Sequence, residues 1–198
     1  MAITPTQNPF ALFQSWFDEA RCNAAITDAS AMTLATVDDA GAPDARVVLL
    51  KDFSEEGFTF YTNLGSAKAR QLQANATAAL CFYWAPLAKQ VRIRGRVTRV
   101  DDTEADAYFK SRPRESRIGA WASRQSDPLP SRDALESAFI AAKLKYDGVE
   151  VPRPSFWSGF RLRPEIIEFW LHGDFRLHHR VRYQITSTGE WEYGLLNP

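Results

Sequence analysis

The sequence predicts a mainly β protein, an antiparallel barrel of roughly six to eight strands with a few helices packed on its outside. Three observations support this fold class. Short segments that alternate apolar and polar residues recur along the chain, turns rich in glycine and proline separate them, and helical patterns are few. Because no internal repeat or long linker interrupts the 198 residues, we expect a single domain over residues 1–198, with residues 1–8 as a flexible N-terminal segment.

Capping and periodicity predict the elements of the first half. Asn8 and Pro9 supply the cap and first turn of a helix whose apolar residues recur through Ala20. A second helix begins at Ser66, whose hydroxyl we expect to cap it, and ends near Ala74. Strands are predicted at 31–37, 45–51 and 58–62, of which the first two form a hairpin.

The second half contains longer strands and two further helices. The strand at 91–100 alternates apolar residues with Arg92, Arg94 and Arg96, so one face is buried and the other is basic. A helix from Asp102 ends before Pro113, and another begins at Ser131. The helix that begins at Ser131 continues to about Tyr146. The other predicted strands are 78–84, 157–162, 165–171, 181–185 and 191–195.

The composition argues against several classes of protein. Lysine plus arginine equals aspartate plus glutamate at 24 each, so we expect no nucleic-acid or membrane partner. No apolar run approaches the ~18 residues that a membrane-spanning helix needs, and MAITPTQNPF lacks the pattern of a secretory signal. Cys22 and Cys81 suggest no disulfide framework. We therefore expect a cytoplasmic protein.

Aromatic residues make up 13% of the chain, which is a high share. Such rings either pack a barrel core or line an aromatic ligand or a subunit interface, and both interpretations stay open here.

The common nucleophile, nucleotide and metal motifs are absent from the sequence, including GxSxG, the P-loop, GxGxxG and CxxC. His172, His178 and His179 lie close together in sequence, but the last two are neighbours on a predicted strand and point to opposite faces. We therefore expect no metal site. On that strand Arg176, His178 and Arg180 share one face, which is either a solvated sheet edge or a functional row.

Phosphate binding is the strongest chemical theme. Arg46 and Lys51 bracket a predicted strand, and Lys68 lies in the first turn of a helix, where backbone N–H groups favour an anion. A further set, Tyr108, Arg112 and Ser116, recurs every four residues, which keeps Tyr108 and Arg112 on one helical face. Each cluster alone is more often a solvated surface. Two such clusters together fit a phosphorylated cofactor beside a phosphorylated substrate.

A series of motifs, taken in the order in which they occur, resembles a known family. The match runs from about Pro9 to Pro198. The motifs are RVVLLK (46–51), FYTN (60–63), SAK (66–68), KQVRIRG (89–95), YFKSRPRESRIGAWASRQS (108–126), VPRPSFWSGFRL (151–162) and IEFW with RLHHR (167–180). Together they resemble pyridoxine/pyridoxamine 5'-phosphate oxidases. The resemblance implies an FMN-binding split barrel and a homodimer with FMN at the subunit interface. It also implies oxidation of the C4' carbon of either substrate to pyridoxal 5'-phosphate, with hydride transfer to flavin N5 and reoxidation by O2 to give hydrogen peroxide.

The resemblance also implies roles for individual residues, carried over position by position. The FMN site would comprise Arg46, Val47, Leu49, Leu50, Lys51, Tyr61, Thr62, Lys68, Gln90, Gln125, Ser126, Trp170 and Arg180. The substrate phosphate would be bound by Lys51, Tyr108, Arg112 and Ser116. Arg176 and His178 would cover the pyridine ring as substrate-binding and catalytic residues, with Arg176 the more important.

Four positions depart from the family pattern. Ala67 stands where an arginine usually helps to bind the FMN phosphate, and Leu171 replaces a usual glutamine. Leu64 replaces a common tyrosine, and His179 replaces an aspartate. Since one charged hydrogen bond contributes about 1.5–3 kcal/mol, the loss at Ala67 predicts FMN binding that is roughly ten- to a hundredfold weaker than is typical.

Two alternatives stay open. One is a related flavin oxidase acting on another aromatic substrate, as in phenazine biosynthesis, and the other is a non-catalytic flavin-binding protein. The phosphate set argues against the first, because a substrate without phosphate would leave four polar groups unpaired. The presence of Arg176 and His178 argues against the second.

Overall fold

The computed structural model describes residues 2–198, and its elements are α-helices, β-strands and two short 3-10 turns. The helices are α1 (Pro9–Cys22), α2 (Ala67–Ala74), α3 (Asp102–Ser111), α4 (Arg114–Ala122) and α5 (Arg132–Lys145). The strands are β1 (Ala31–Val37), β2 (Pro43–Leu49), β3 (Asp52–Ser54), β4 (Gly57–Asn63), β5 (Thr77–Trp84), β6 (Lys89–Arg99), β7 (Trp157–Leu171), β8 (His179–Ile185) and β9 (Trp191–Leu195). The 3-10 turns are Ala85–Leu87 and Asp174–Arg176.

All nine strands belong to one antiparallel sheet, which confirms the predicted fold class. The strands run in the order β2-β1-β5-β6-β7-β4-β3, and β8 joins β7 while β9 joins β8. The sheet curls into a half-barrel, and a backbone hydrogen bond from Lys51 N to Thr59 O (2.9 Å) extends the β3–β4 pairing to the residue before β3. The short strand β3 was not predicted from the sequence.

Strand β7 is the longest element, and it connects both halves of the sheet. Its first part, Trp157–Leu162, pairs with β4, and its last part, from Ile166, pairs with β8. The prediction of two strands, 157–162 and 165–171, is wrong because the strand continues through Pro164. Pro164 lies opposite Gly95 at a register shift in the β6–β7 ladder, and bulges are where a sheet tolerates proline.

Helix α1 buries its apolar face in the barrel. Asn8 caps it as predicted, with its side-chain oxygen accepting a hydrogen bond from Phe10 N (2.8 Å). The ring centroid of Phe13 lies 4.9 Å from that of Phe58, and Trp16 lies 5.3 Å from Phe169. Many of the aromatic residues therefore fill the core, the first of the two interpretations.

A second apolar cluster attaches α3, α4 and α5 to the sheet. Its buried members are Phe109, Ile118, Tyr146, Val151 and Trp157. Helix α4 was not predicted. It starts directly after Pro113, and its buried residue Ile118 anchors it in this cluster.

The N-terminal residues contact the rest of the fold, and Ile3 packs against the barrel core. The backbone N–H of Thr6 donates to the hydroxyl of the buried Tyr183 (3.0 Å), and this hydroxyl donates to Thr6 O (2.9 Å). The flexibility of residues 1–8 stays a prediction, and Met1 lies outside the described residues. Within residues 2–198, no helix has both the length and the apolarity needed to cross a lipid bilayer.

Candidate functional site

A cavity of about 500 Å³ opens between β2, β4, α3 and α4. Three cationic side chains, Lys51, Lys68 and Arg112, lie in its wall. The other lining residues are Val47, Val48, Leu49, Tyr61, Thr62, Tyr108, Ser111, Pro113, Ser116, Gln125 and Trp157. With no carboxylate in this wall, the cavity suits an anionic ligand.

Lys68 is a buried cation without an acidic partner. It is 8% exposed, and its Nζ donates to Thr62 Oγ1 at 3.3 Å. Burial lowers the pKa of Lys68, and the nearby positive charge of Arg46 lowers it further. The lysine lies in the first turn of α2, where free backbone N–H groups also attract negative charge. This corner of the cavity has the donors that a phosphate requires.

Ser66 precedes α2 but does not cap it through its side chain, so that prediction is wrong. The Ser66 hydroxyl is buried and lies 3.4 Å from Thr62 Oγ1. The Thr62 hydroxyl accepts from Lys68 and donates to Gln125, so it holds the ammonium in place, while Ser66 is not among the residues that line the cavity.

Arg112 lies at the end of α3, where Pro113 stops the helix as predicted. Ser116 follows in the first turn of α4, so the helix break returns it to the same wall as Tyr108 and Arg112. The Arg112 Nη1 atom is buried and has no hydrogen-bond partner, and burial lowers the pKa of this guanidinium. An unpaired guanidinium donor at a cavity wall is the second place that fits an anion.

Aromatic rings stack behind these cations. The Tyr61 and Tyr108 centroids are 3.9 Å apart with ring planes at 11°, and Trp157 stacks on Tyr61 at 5.3 Å. The Tyr61 hydroxyl donates to Glu104 (3.2 Å). Burial raises the pKa of Tyr61, and the negative charge of Glu104 raises it further, so Tyr61 remains a neutral donor.

Three residues expected around FMN do not line the cavity with their side chains. Arg46 lies behind it, where the guanidinium pairs with Asp44 and donates to Gln71 Oε1 (3.0 Å). The Leu50 side chain is buried in the barrel core. Ser126 has a positive φ of 74° in the exposed loop after Gln125. Gln125 itself reaches the cavity and accepts a hydrogen bond from Thr62 Oγ1 (3.2 Å).

A second group of predicted site residues lies elsewhere, at the opposite end of β7. The group comprises Gln90, Trp170, Arg176, His178 and Arg180, and the described cavity wall contains none of them. Trp157 at the cavity and Trp170 in this group are thirteen residues apart on one strand, a path of about 40 Å at ~3.3 Å per residue. A single chain therefore leaves the two groups apart.

The loop from His172 to His178 presents Arg176 in an unusual conformation. Phe175 and Arg176 have positive φ values of 56° and 68°, and Phe175 is 93% exposed. Gly173 N–H donates to His178 Nδ1 (3.3 Å), which places the proton of a neutral His178 on Nε2. The prediction that Arg176, His178 and Arg180 share one strand face is wrong, because left-handed residues cannot continue a strand and β8 begins only at His179.

The fold of this loop also brings His172 and His178 together, with ring centroids 5.3 Å apart. Across residues 2–198, however, no three His, Cys, Asp or Glu side chains are grouped as metal ligands. Partial burial lowers the pKa of His178, and the neighbouring His172, Arg176 and Arg180 lower it further.

Arg180 is held rigidly at the start of β8. Its Nε and Nη2 donate to Glu168 Oε1 at 3.0 and 2.8 Å, and Nη1 donates to Asn197 O at 2.8 Å. Glu168 is buried, which opposes ionisation, but hydrogen bonds from Arg92 and Arg180 lower its pKa overall. Arg92 donates to Glu168 Oε2 at 2.6 Å, so one buried carboxylate orients two arginines of the basic face.

Several cavity residues were not predicted, namely Val48, Ser111, Pro113 and Trp157. Trp157 lies within one of the quoted motifs, but no role was attached to it. An aromatic residue at the first position of a strand, directly after a loop rich in proline, was the signal available in the sequence.

Comparison with known proteins identifies relatives along the chain. The family model described as pyridoxamine 5'-phosphate oxidase matches residues 19–146. The model described as pyridoxine 5'-phosphate oxidase C-terminal dimerisation region matches residues 157–198. A pyridoxine/pyridoxamine 5'-phosphate oxidase of Mesorhizobium japonicum is 52% identical over 99% of this chain and 95% of its own length. A protein of the same name from Rhizobium johnstonii is 53% identical over 96% and 92%.

Solved structures share the architecture. PhzG from Burkholderia lata, in complex with tetrahydrophenazine-1-carboxylic acid, superposes with a TM-score of 0.92. It is 30% identical and covers 98% of this chain and 94% of its own. A pyridoxamine 5'-phosphate oxidase-related, FMN-binding protein from Nostoc punctiforme has a TM-score of 0.77 at 20% identity, with coverage of 98% and 100%. The second similarity concerns the fold alone.

Proposed function

Since the chain belongs to the pyridoxine/pyridoxamine 5'-phosphate oxidase family, we propose that it oxidises pyridoxamine or pyridoxine 5'-phosphate to pyridoxal 5'-phosphate as an FMN-dependent cytoplasmic enzyme. The observation that carries the proposal is a cavity with two separate cationic corners. Lys68 lies in one corner and Arg112 in the other, and neither has a carboxylate partner among the ion pairs of residues 2–198. Two phosphorylated molecules side by side fit this arrangement.

The Lys68 corner fits the phosphate of FMN. A buried ammonium that donates to one hydroxyl has two further donors to offer, and the free backbone N–H groups in the first turn of α2 add more. Val47 and Leu49 provide apolar surface for the flavin ring, and Gln125 provides polar groups. When bound, FMN would supply the electron sink for oxidation at C4', with O2 as the final acceptor that yields hydrogen peroxide.

The Arg112 corner fits the phosphate of the substrate. Arg112 and Lys51 supply charged donors there, while Tyr108 and Ser116 supply hydroxyls. Holding the phosphate at this wall orients the pyridine ring relative to the flavin. Such positioning contributes much of the rate when the cofactor carries the chemistry.

The site is completed by a second copy of the chain in the homodimer. The dimerisation region matches residues 157–198, which contain Trp170, Arg176, His178 and Arg180. We place the interface on the outer sheet face, where Val47 is 67% exposed near one end and the Glu168–Arg180 pair lies near the other. In a dimer with a two-fold axis the same face of both subunits forms the interface. The Val47 end of each subunit would then lie against the Glu168–Arg180 end of the other, so the dimer would contain two equivalent sites.

Arg176 and His178 would then cover the substrate ring from the partner. Arg176 is always cationic, and it would orient the C4' hydroxyl or amine by donating a hydrogen bond to it. His178 is neutral around pH 7, since its pKa is lowered, and its Nε2–H is available to donate a hydrogen bond to the substrate.

An oxidase of the phenazine type is the second candidate, and the similarity to PhzG favours it. The two candidates differ in the substrate phosphate. A phosphate has three terminal oxygens for the donors of Lys51, Tyr108, Arg112 and Ser116, whereas the carboxylate of a phenazine-type substrate has only two. This difference supports a phosphorylated substrate.

Anaerobic titration of the FMN-loaded protein tests the proposal. Addition of pyridoxamine or pyridoxine 5'-phosphate is expected to bleach the long-wavelength flavin band, and admission of O2 is expected to restore it. The matched addition of pyridoxamine without phosphate is expected to bleach far more slowly. Bleaching by an aromatic carboxylate alone would favour the phenazine type, and no bleaching by any of these compounds would favour a non-catalytic flavin protein.

Subunit complementation tests the shared site. Arg112→Gln disables the cavity half and Arg176→Gln disables the partner half, so each homodimer is expected to be nearly inactive. When the two are unfolded and refolded together, half of the dimers are mixed and each has one intact site, which gives about a quarter of wild-type activity. Failure to recover activity in mixed dimers would place both halves in one chain.

A further inference from the structure

Arg112 is held by aromatic rings. Its guanidinium carbon lies 4.8 Å from the Trp157 ring centroid and 5.5 Å from the Phe109 centroid. The ion pairs of residues 2–198 do not include it, and its buried Nη1 has no hydrogen-bond partner. The cation is therefore fixed in place while its donors remain available.

Trp157 is a rigid support for this cation. Its side chain is buried, with the residue 6% exposed, and Phe109 packs edge-on against it at 5.0 Å. Its backbone N–H donates to Pro154 O (3.0 Å), and its carbonyl accepts from Arg153 Nη1 (2.8 Å). The ring therefore has little freedom to move away from Arg112.

We propose that Trp157 is a positioning residue for the substrate phosphate, which acts by holding the Arg112 guanidinium at the cavity wall. A carboxylate in its place would hold the arginine equally well, but it would occupy the N–H donors and neutralise the charge. An aromatic face attracts the cation and leaves the in-plane donors free for the phosphate. The inference rests on the proposed function, in which Arg112 binds that phosphate.

Three variants of Trp157 test the proposal in the FMN-loaded protein. Trp157→Leu removes the aromatic face, Trp157→Met removes it while keeping a long apolar chain, and Trp157→Phe keeps a smaller face. The readouts are kcat and KM for pyridoxamine 5'-phosphate, and the Kd of inorganic phosphate by calorimetry. We expect Leu and Met to raise KM and the phosphate Kd by about 5- to 30-fold, with kcat changed by less than about twofold. Phe is expected to restore most of the affinity.

Two controls separate positioning from loss of packing. Phe139→Leu removes apolar contact from the same cluster without touching Arg112, and it is expected to leave both constants unchanged. In an Arg112→Gln background, Trp157→Leu is expected to change the phosphate Kd no further, because the tryptophan acts through the arginine.

Several outcomes would overturn the proposal. They are unchanged constants in Trp157→Leu, equal effects of Met and Phe, an undiminished effect in the Arg112→Gln background, or no effect of Arg112→Gln itself. If Trp157→Leu does not fold, the comparison of Met with Phe decides. If the wild type oxidises no vitamin B6 phosphate but its phosphate affinity still depends on Trp157, the proposed function fails and the positioning role stands.

Discussion

Replacing Lys68 by methionine is expected to shift protein stability and cofactor affinity in opposite directions. Lys68 is 8% exposed, has no carboxylate partner and donates to Thr62 Oγ1 at 3.3 Å. In the apo-protein this charge is buried at a cost, whereas in the FMN complex it would contact the phosphate. Methionine keeps the length and the apolar contacts but removes the charge.

The structure sets the size of both effects. Relief of the desolvation penalty, less the hydrogen bond to Thr62, is expected to stabilise the apo-protein by about 1–2 kcal/mol, which corresponds to a Tm increase of roughly 2–8 °C for a chain of this size. Loss of a charge-assisted bond to phosphate contributes about 1.5–3 kcal/mol, so the FMN Kd is expected to rise about ten- to a hundredfold.

The pH dependence of apo-protein stability gives an independent check. Burial lowers the pKa of Lys68 in the folded state. Between this lowered pKa and the ordinary lysine value, the unfolded chain binds more protons than the folded one, so stability rises with pH across that window. Below this pH window Lys68 is charged in both the folded and the unfolded state, so the whole cost of burying its charge lowers the stability of the fold. Lys68→Met is expected to abolish this alkaline gain.

Circular dichroism melts of the apo-protein and quenching of FMN fluorescence on titration measure the two effects. Lys143→Met is the matched control, because Lys143 is exposed on α5 and pairs with Glu115 at 3.4 Å. It is expected to change stability by less than about 0.5 kcal/mol. A Lys68→Met protein that melts lower and binds FMN as tightly as wild type would refute the reasoning, since the lysine would then act by packing alone.

Three further predictions follow from single sites. Ala67→Arg adds a cation at the first residue of α2 and is expected to tighten FMN binding about tenfold or more. Ala74→Arg, at the other end of the same helix, is expected to leave FMN binding unchanged, and equal effects of the two variants would rule out a local phosphate contact. The kcat/KM is expected to fall as pH drops through the lowered pKa of His178, because protonation breaks the hydrogen bond from Gly173 N–H to Nδ1. The His178→Asn variant is expected to lose this decrease at low pH, and a pH profile identical to wild type would contradict the assignment. Gly159→Ala places a methyl 2.7 Å from the Tyr61 ring and is expected to destabilise the protein by about 1–3 kcal/mol, whereas Gly194→Ala, with open space around it, is the neutral control in the same melting experiment.

Local signals in the sequence were sufficient for most of the fold. The cap at Asn8, the stop at Pro113 and the cap at Ser131 depend on neighbouring residues alone, and all three are confirmed. Helix α4 escaped prediction because its stability comes from packing Ile118 into a cluster assembled from distant segments. The continuity of β7 through Pro164 depends on the bulge opposite Gly95, a feature of the partner strand.

The candidate site divides in the same way. The spacing of Tyr108, Arg112 and Ser116 is local, and the structure brings all three to one cavity wall as the spacing suggested. The stack of Trp157 on Tyr61 depends on the pairing of β7 with β4, across about a hundred residues of chain. Only the tertiary structure places Arg176 and His178 at the far end of β7 from this cavity.

The sequence by itself determined the fold class, the helix boundaries set by caps and prolines, and the residue types available for binding two phosphates. These properties depend on neighbours in the chain, where propensity and charge act directly. Only the tertiary structure decided that Lys68 and the Arg112 Nη1 atom are buried without acidic partners. It also decided that an aromatic face supports Arg112, and that the two groups of predicted site residues lie apart in one chain. Burial and long-range strand register are set by which distant segments pack together, and this packing arises from the whole chain at once.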